Sequence, residues 1–137
     1  MKTYFKETAV RELIREDEIA KLSAFAERLK QFVAGAQELI DENYRVHGFN
    51  EDYKPTLIYD LGASKKYVRI ANKDNRSDGL SVYCFVEIAT GNVLKSDSWK
   101  KPAKQPRSNI FNPDCGLSGV SAYGAKYLLP GGRKGLR

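Results

Sequence analysis

The sequence has few of the side chains from which catalytic and metal sites are usually built. It contains one histidine, two cysteines and one tryptophan among 137 residues. With His47 alone, neither a Ser-His-Asp triad nor a histidine-based metal cluster is expected, and two cysteines are too few for a structural zinc site. Walker-type phosphate loops and dinucleotide fingerprints are also missing. We therefore predict a protein that is not an enzyme and that uses no cofactor or metal.

Long hydrophobic runs are missing as well. No apolar stretch approaches the roughly 20 residues that cross a bilayer, and residues 1–5 lack the apolar core of a signal peptide. We expect a cytoplasmic protein, in whose reducing compartment Cys84 and Cys115 remain thiols. Cys84 falls in a predicted core strand, whereas Cys115 falls in a loop where a reactive thiol is conceivable.

The positive charge is concentrated in the second part of the chain. The net charge is +6, but residues 1–54 carry nine Lys/Arg against eleven Asp/Glu, a net of −2, and residues 55–137 carry fourteen against six, a net of +8. Such a basic half favours a polyanionic partner, either nucleic acid or an acidic protein surface. The alternative is a solvated basic face with no partner.

A helix is predicted from about residue 18 to residue 47. Its apolar positions recur at three- and four-residue steps. They are Leu22, Phe25, Leu29, Phe32, Ala36 and Leu39, widened by Ala26, Val33 and Ile40. Gly48 is a natural stop. A separate short helix is expected over residues 2–15, with a break near residues 16–18, because the two apolar stripes are out of phase.

Strand patterns follow the helix and predict an α+β protein. Alternating apolar residues indicate strands over 56–61, 66–72 and 81–88, with a turn at Gly91 and a short return strand from Val93. We predict one domain of residues 1–137: a helical part over 1–48, an antiparallel meander of three or four strands over 55–97, and an irregular basic part over 98–137. The helix, about 45 Å long at 1.5 Å per residue, exceeds what a small sheet covers, so a kink at Gly35 or a homo-oligomer through the helix is also possible.

Two groups of residues are candidates for binding. The first, here called the basic arm, interleaves one tryptophan with positive charges, a mixture that suits base stacking beside phosphate contacts. It consists of Lys95, Trp99, Lys100, Lys101, Lys104 and Arg107. Pro102 and Pro106 are expected to keep this arm out of the sheet.

The second group follows from strand alternation. If Val68, Ile70, Val82, Cys84 and Val86 face the helix, the opposite face carries a base-stacking platform. The platform consists of Tyr67, Arg69, Tyr83 and Phe85. In the alternative interpretation, the C-terminal segment with Tyr123, Tyr127 and Leu128 folds over this face and makes it a second core.

The stretch from Phe85 to Phe111 also resembles a block found in small uncharacterised proteins of phages and other mobile elements, F-V-[DE]-x-x-T-G-x-V-x-K-x-x-x-W-K-x-P-A-K-x-x-R-x-N-I-[FY]. The matching positions are Phe85, Val86, Glu87, Thr90, Gly91, Val93, Lys95, Trp99, Lys100, Pro102, Ala103, Lys104, Arg107, Asn109, Ile110 and Phe111, and a trailing Tyr123-Gly124-x-x-Tyr127-Leu128 is similar too. The resemblance implies a phage accessory protein in the host-cell cytoplasm.

Two functions are compatible with these features. The first hypothesis is a non-enzymatic phage-type accessory protein that binds nucleic acid, preferably single-stranded, through the basic aromatic arm. The alternative is an inhibitor of a host nucleic-acid-binding protein, such as an anti-defence (anti-CRISPR-like) protein, whose basic surface occupies a nucleic-acid site. Both need the same positive surface, so the sequence does not separate them.

Overall fold

The computed structural model describes residues 4–62, 64–76 and 79–127, with the helix side chains described from Ala20 onward. It is an α+β structure, as predicted, in which one long helix packs on an antiparallel sheet. The elements are α1 (Tyr4–His47), β1 (Thr56–Ile58), β2 (Tyr67–Lys73), β3 (Leu80–Glu87), β4 (Asn92–Ser96), β5 (Pro102–Asn109), β6 (Val120–Ser121) and β7 (Gly124–Ala125). Short 3-10 helices lie at Glu51–Tyr53 and Leu117–Gly119.

Helix α1 is continuous from Tyr4 to His47, so the predicted break near residues 16–18 is wrong. That prediction relied on the phase change between two apolar stripes. A phase change interrupts the packing face but leaves the backbone hydrogen bonds intact, and the Glu, Arg, Ala and Leu residues of this region are good helix formers. The helix also continues through Gly35, where a Cβ atom would lie 2.6 Å from Cδ1 of Leu117. This glycine therefore lets the segment after β5 approach the helix closely.

The helix ends at Gly48, as predicted, in a Schellman motif. Gly48 has φ of +64°, and the N–H of Phe49 donates to the carbonyl of Tyr44 at 3.0 Å. The Phe49 ring packs edge-on against Tyr44, with centroids 5.3 Å apart, and stacks on His47 at 5.0 Å. These contacts satisfy the last helical carbonyls and direct the chain toward β1.

The main sheet is a five-stranded antiparallel meander in the order β1-β2-β3-β4-β5. It has one strand more than expected, because the part of the basic arm from Pro102 to Asn109 pairs with β4 as strand β5. The prolines are accommodated because β5 lies at the edge of the sheet and its register shifts twice along β4. The prediction that residues 98–137 are irregular is therefore wrong over β5.

The core lies between α1 and the inner face of the sheet, the face toward the helix. Five helix residues are buried there: Phe25, Leu29, Phe32, Ala36 and Ile40. The sheet contributes Val68, Ile70, Cys84, Val86 and Val93. Two predicted members of the helix stripe lie outside this core, since Leu22 is 52% exposed and Leu39 is 36% exposed.

A β-bulge in β3 reverses one predicted side-chain direction. Ile70 pairs with Cys84 and Ala71 pairs with Val82, so Tyr83 has no partner on β2. The extra residue turns Tyr83 into the helix-side core, where its hydroxyl donates to the carbonyl of Ser121 at 2.5 Å and burial raises the pKa of its phenol. Strict alternation had placed this tyrosine on the opposite face.

The described part of the C-terminal segment packs on the helix side. Val120 and Ala125 belong to the same core as the helix stripe. Gly124 has φ of +120° and approaches β3 so closely that a Cβ atom would lie 2.6 Å from the carbonyl oxygen of Tyr83. The alternative in which this segment covers the outer face is therefore wrong for residues up to 127, while Leu128 lies outside the described residues.

The helix packing can be tested with two matched substitutions. Leu29→Asp places a carboxylate at a fully buried position, and we expect it to lower the free energy of unfolding by about 3–5 kcal/mol through desolvation and lost packing. Leu22→Asp makes the same chemical change at an exposed helix position and should cost less than about 0.5 kcal/mol. Urea unfolding curves measure both, and equal midpoints would contradict the packing described here.

The two cysteines should react at different rates. Cys84 is fully buried, and burial raises the pKa of its thiol, so it should resist alkylation in the folded protein. Cys115 is half-buried, with its Sγ 3.4 Å from Oε1 of Gln31, and should be labelled. Mass spectrometry after timed iodoacetamide treatment measures this, with urea-unfolded protein as the control in which both react. Equal rapid labelling of both cysteines in the folded state would refute the core assignment of β3.

Candidate nucleic-acid interface

The outer face of the sheet, directed away from α1, carries an aromatic and basic cluster. Its centre is a cross-strand pair in which Arg69 of β2 lies opposite Phe85 of β3. Tyr67, two residues before Arg69 on the same face, packs edge-on against Phe85 with ring centroids 6.3 Å apart. Phe85 is only 3% exposed, so it forms the floor of this cluster and is not itself an open stacking surface.

Arg69 joins the sheet to the loop between β4 and β5. Its Nε donates to the carbonyl oxygen of Trp99 at 2.8 Å. Its Cζ lies 4.1 Å from the centroid of the Trp99 ring and 5.8 Å from that of Phe85, so the guanidinium is held against both rings by cation–π interactions. The side chain is thereby fixed before any partner binds.

The loop that presents Trp99 is itself ordered by backbone hydrogen bonds. The N–H groups of Asp97 and Ser98 both donate to the carbonyl of Lys101, at 2.8 and 3.0 Å. The closed turn leaves Trp99 40% exposed and keeps Lys100 and Lys101 exposed. One aromatic ring and two positive charges therefore lie together at the rim of the outer face.

A groove of about 340 Å³ lies between this loop and the connection from β1 to β2. Phe85 and Ala71 form its apolar floor, and Tyr67 and Trp99 lie along its sides. Ser64 and Asp60 line the part contributed by the β1–β2 connection. The groove is thus a concave site with apolar walls and a few polar groups, which is the usual form of a ligand site.

The positive charge of Arg69 is not neutralised within the described part of the chain. Only its Nε has a hydrogen-bond partner there, and no carboxylate lies within ion-pair distance of its terminal nitrogens. Lys100 lines the same groove, and Nζ of Lys66 lies 5.5 Å from the centroid of the Tyr67 ring. The site therefore presents a preorganised guanidinium and neighbouring ammonium groups to an anionic ligand.

The structure brings together six of the ten residues predicted as binding residues. They are Tyr67, Arg69, Phe85, Trp99, Lys100 and Lys101. Tyr83 does not join them, because the bulge turns it into the core. Lys104 is exposed on β5 but does not line the groove.

Two further basic residues of the arm have structural contacts elsewhere. Lys95 shares the inner face with Val93, and its Nζ lies 4.2 Å from the centroid of the Tyr127 ring. Arg107 is 7% exposed; it donates from Nε to the carbonyl of Lys126 at 2.9 Å and from Nη1 to the carbonyl of Gln105, and burial lowers its pKa. Arg107 thus ties β5 to the C-terminal segment, and it lies outside the groove.

Sequence reasoning missed the groove residues outside the two candidate groups. They are Ile58 at the end of β1, Tyr59, Asp60 and Ser64 of the β1–β2 connection, Ala71 of β2 and Leu80 of β3. Lys66, which lies over the Tyr67 ring beside the groove, was missed as well. The usable signal was alternation in the first strand, which puts Ile58 on the face opposite the buried Leu57. Pairing of β1 with β2 then carries Ile58 to Ala71, on the face that Tyr67 and Arg69 share.

The described residues include no metal cluster and no membrane-spanning helix. Among them, no group of three or more His, Cys, Asp or Glu side chains is placed to hold a metal ion. Within the same residues, no helix combines the length and apolar character that a membrane span requires.

Comparison with known proteins connects the chain to a family. No curated protein and no solved structure matches it. A family model described as "Family of unknown function (DUF7717)" matches residues 3–120. The matched range includes the helix, all five strands of the main sheet and the loop with Trp99. Because the match covers well over half of the sequence, this chain belongs to the DUF7717 family.

Proposed function

We propose that the protein binds single-stranded nucleic acid on the outer face of its sheet. The observation that carries this proposal is the state of Arg69. The guanidinium is held between Phe85 and Trp99 beside an open groove, and its terminal nitrogens have no acceptor among the described residues. A fixed positive charge next to aromatic rings matches a ligand that combines phosphates with flat bases.

The aromatic residues suit unpaired bases. Trp99 is partly exposed at the rim, and Tyr67 is half-buried along the groove. In a duplex the bases stack on one another, whereas a single strand leaves their faces available to aromatic side chains. This difference favours a single strand over a duplex as the ligand.

Four basic residues provide the phosphate contacts of the proposal. Lys66, Arg69, Lys100 and Lys101 lie at or beside the cluster. The net charge of +8 over residues 55–137 adds a longer-range attraction for a polyanion. The proposal assigns binding and no chemical step to these residues. Residues 85–111 resemble a block in proteins of phages and other mobile elements. The proposed protein is therefore a phage-type accessory protein of the host-cell cytoplasm.

The first test of the proposal is the salt dependence of binding. With about four phosphates neutralised, the logarithm of the association constant for a single strand should fall against the logarithm of salt concentration with a slope of about −3. Lys100→Ala should reduce the steepness by about 0.7, for every sequence alike. Lys95→Ala removes the same charge from the inner face and should leave the slope unchanged. Fluorescence anisotropy with labelled oligonucleotides measures all three.

Two outcomes of this series would contradict the proposal. One is a parent protein that binds no single strand at low salt. The other is equal loss of slope in the Lys95 and Lys100 variants, which would mean that the charge acts without regard to the face on which it lies. In either case a pull-down from host lysate with and without nuclease would show whether the partner is a protein instead.

The second test separates stacking from charge. Trp99→Ala should weaken single-strand binding by about 1–3 kcal/mol while leaving the salt slope nearly unchanged. The fold should tolerate the change, because Trp99 is 40% exposed and the hydrogen bond from Arg69 goes to its backbone carbonyl, so the fold loses only the cation–π contact between Arg69 and the indole. Trp99→Phe keeps an aromatic face and should retain most of the affinity. A large fall in melting temperature of the alanine variant with unaltered binding would show that Trp99 serves only the fold.

A further inference from the structure

The groove holds two oppositely charged side chains that are not paired with each other. Arg69 and Asp60 both line it, yet they form no ion pair. Asp60 is exposed and Arg69 is half-buried, so both charges are accessible to a ligand in the groove. A ligand that contacts both side chains must present acceptors to Arg69 and donors to Asp60.

Arg69 offers a matched pair of donors. With Nε committed to the carbonyl of Trp99, the terminal Nη1 and Nη2 remain as a planar fork. Such a fork forms bidentate hydrogen bonds with two adjacent acceptors, and the O6 and N7 atoms of guanine are its commonest target among the bases.

Asp60 offers acceptors. Its Oδ1 accepts the N–H of Gly62 at 2.9 Å, and among the described residues Oδ2 has no donor. An ionised carboxylate accepts only, at about four lone-pair positions, so the group suits a ligand edge with adjacent N–H donors. The N1–H and N2–H₂ groups of guanine form such an edge.

The groove has the shape for a planar ring between these groups. Its volume of about 340 Å³ is at the lower end of small-ligand sites, and its floor of Phe85 and Ala71 is apolar. Tyr67 and Trp99 provide aromatic surfaces at the sides. A single unstacked base fits this combination, since its faces are apolar and its edges polar.

We infer that the groove selects guanine in the bound strand, with Arg69 donating to O6 and N7 and Asp60 accepting from N1–H and N2–H₂. The inference rests on the proposed function and names the base that occupies the groove. Guanine alone presents two acceptors on one edge and two donors on the next. Thymine has one N3–H donor between two carbonyl oxygens that the carboxylate repels, while adenine and cytosine place a single amino group beside an acceptor nitrogen.

The test uses short oligothymidylates in which one central base is guanine, adenine, cytosine or thymine, measured by anisotropy at one salt concentration. We expect the guanine oligonucleotide to bind about tenfold tighter than the all-thymine one, as one bidentate contact provides. Asp60→Asn should weaken this preference without abolishing it, because the amide keeps one acceptor and puts an N–H₂ donor against the donors of guanine, while the contacts from Arg69 to O6 and N7 remain. Asp97→Asn makes the same charge change outside the groove, so it should strengthen binding of all four strands alike and keep the preference.

Three other outcomes would contradict the inference, and they differ in whether the proposed function also fails. Equal binding of the four strands by the parent, with a steep salt slope, refutes guanine selection and leaves the proposed function standing. No binding of any strand refutes both. If free GMP binds as tightly as the guanine strand, the groove is a site for a free nucleotide. The inference that it binds a base within a strand is then wrong. The parent series decides the question even if Asp60→Asn does not fold, and melting curves identify that case.

Discussion

The structure depends on burial of one face of the helix against one face of the sheet. Phe25, Leu29, Phe32, Ala36 and Ile40 are excluded from water because the inner face of the sheet and the segment around Val120 cover them. The long helix packs on one face of the sheet, the inner face. The opposite face of a five-stranded sheet is then left to be covered by small local elements or to meet solvent and partners. The aromatic and basic cluster lies on this second face.

Prediction succeeded where local sequence alone determines the structure. The helix stripe, the glycine stop at Gly48 and the strands around Val68 and Val86 follow from periodicity and backbone chemistry, and these features place the inner core correctly. From that core, the outer positions of Tyr67, Arg69 and Phe85 follow by alternation. The part of the candidate site that lies on regular strands was therefore accessible from sequence.

Prediction failed where a single inserted residue, or a contact between distant parts of the chain, determines the position of a side chain. The bulge at Tyr83 inserts one residue between Cys84 and Val82, and a count of alternate positions does not register it. Arg107 was predicted to contact phosphate because it is an arginine in a basic stretch. In the structure the C-terminal segment buries it, and it donates to a backbone carbonyl. The groove combines the β1–β2 connection with a loop about 35 residues later in the chain, and only the folded sheet brings them together.

The short and proline-bearing edges of the sheet decide how a partner can approach. Strand β1 has three residues, and Pro102 and Pro106 remove backbone donors from β5 at the opposite edge. Neither edge offers a long row of free peptide groups on which another chain could add a strand. Short and proline-bearing edges of this kind disfavour edge-to-edge pairing of sheets. A partner that binds the outer face, as proposed, contacts side chains there, so point substitutions change its choice without disturbing the backbone scaffold.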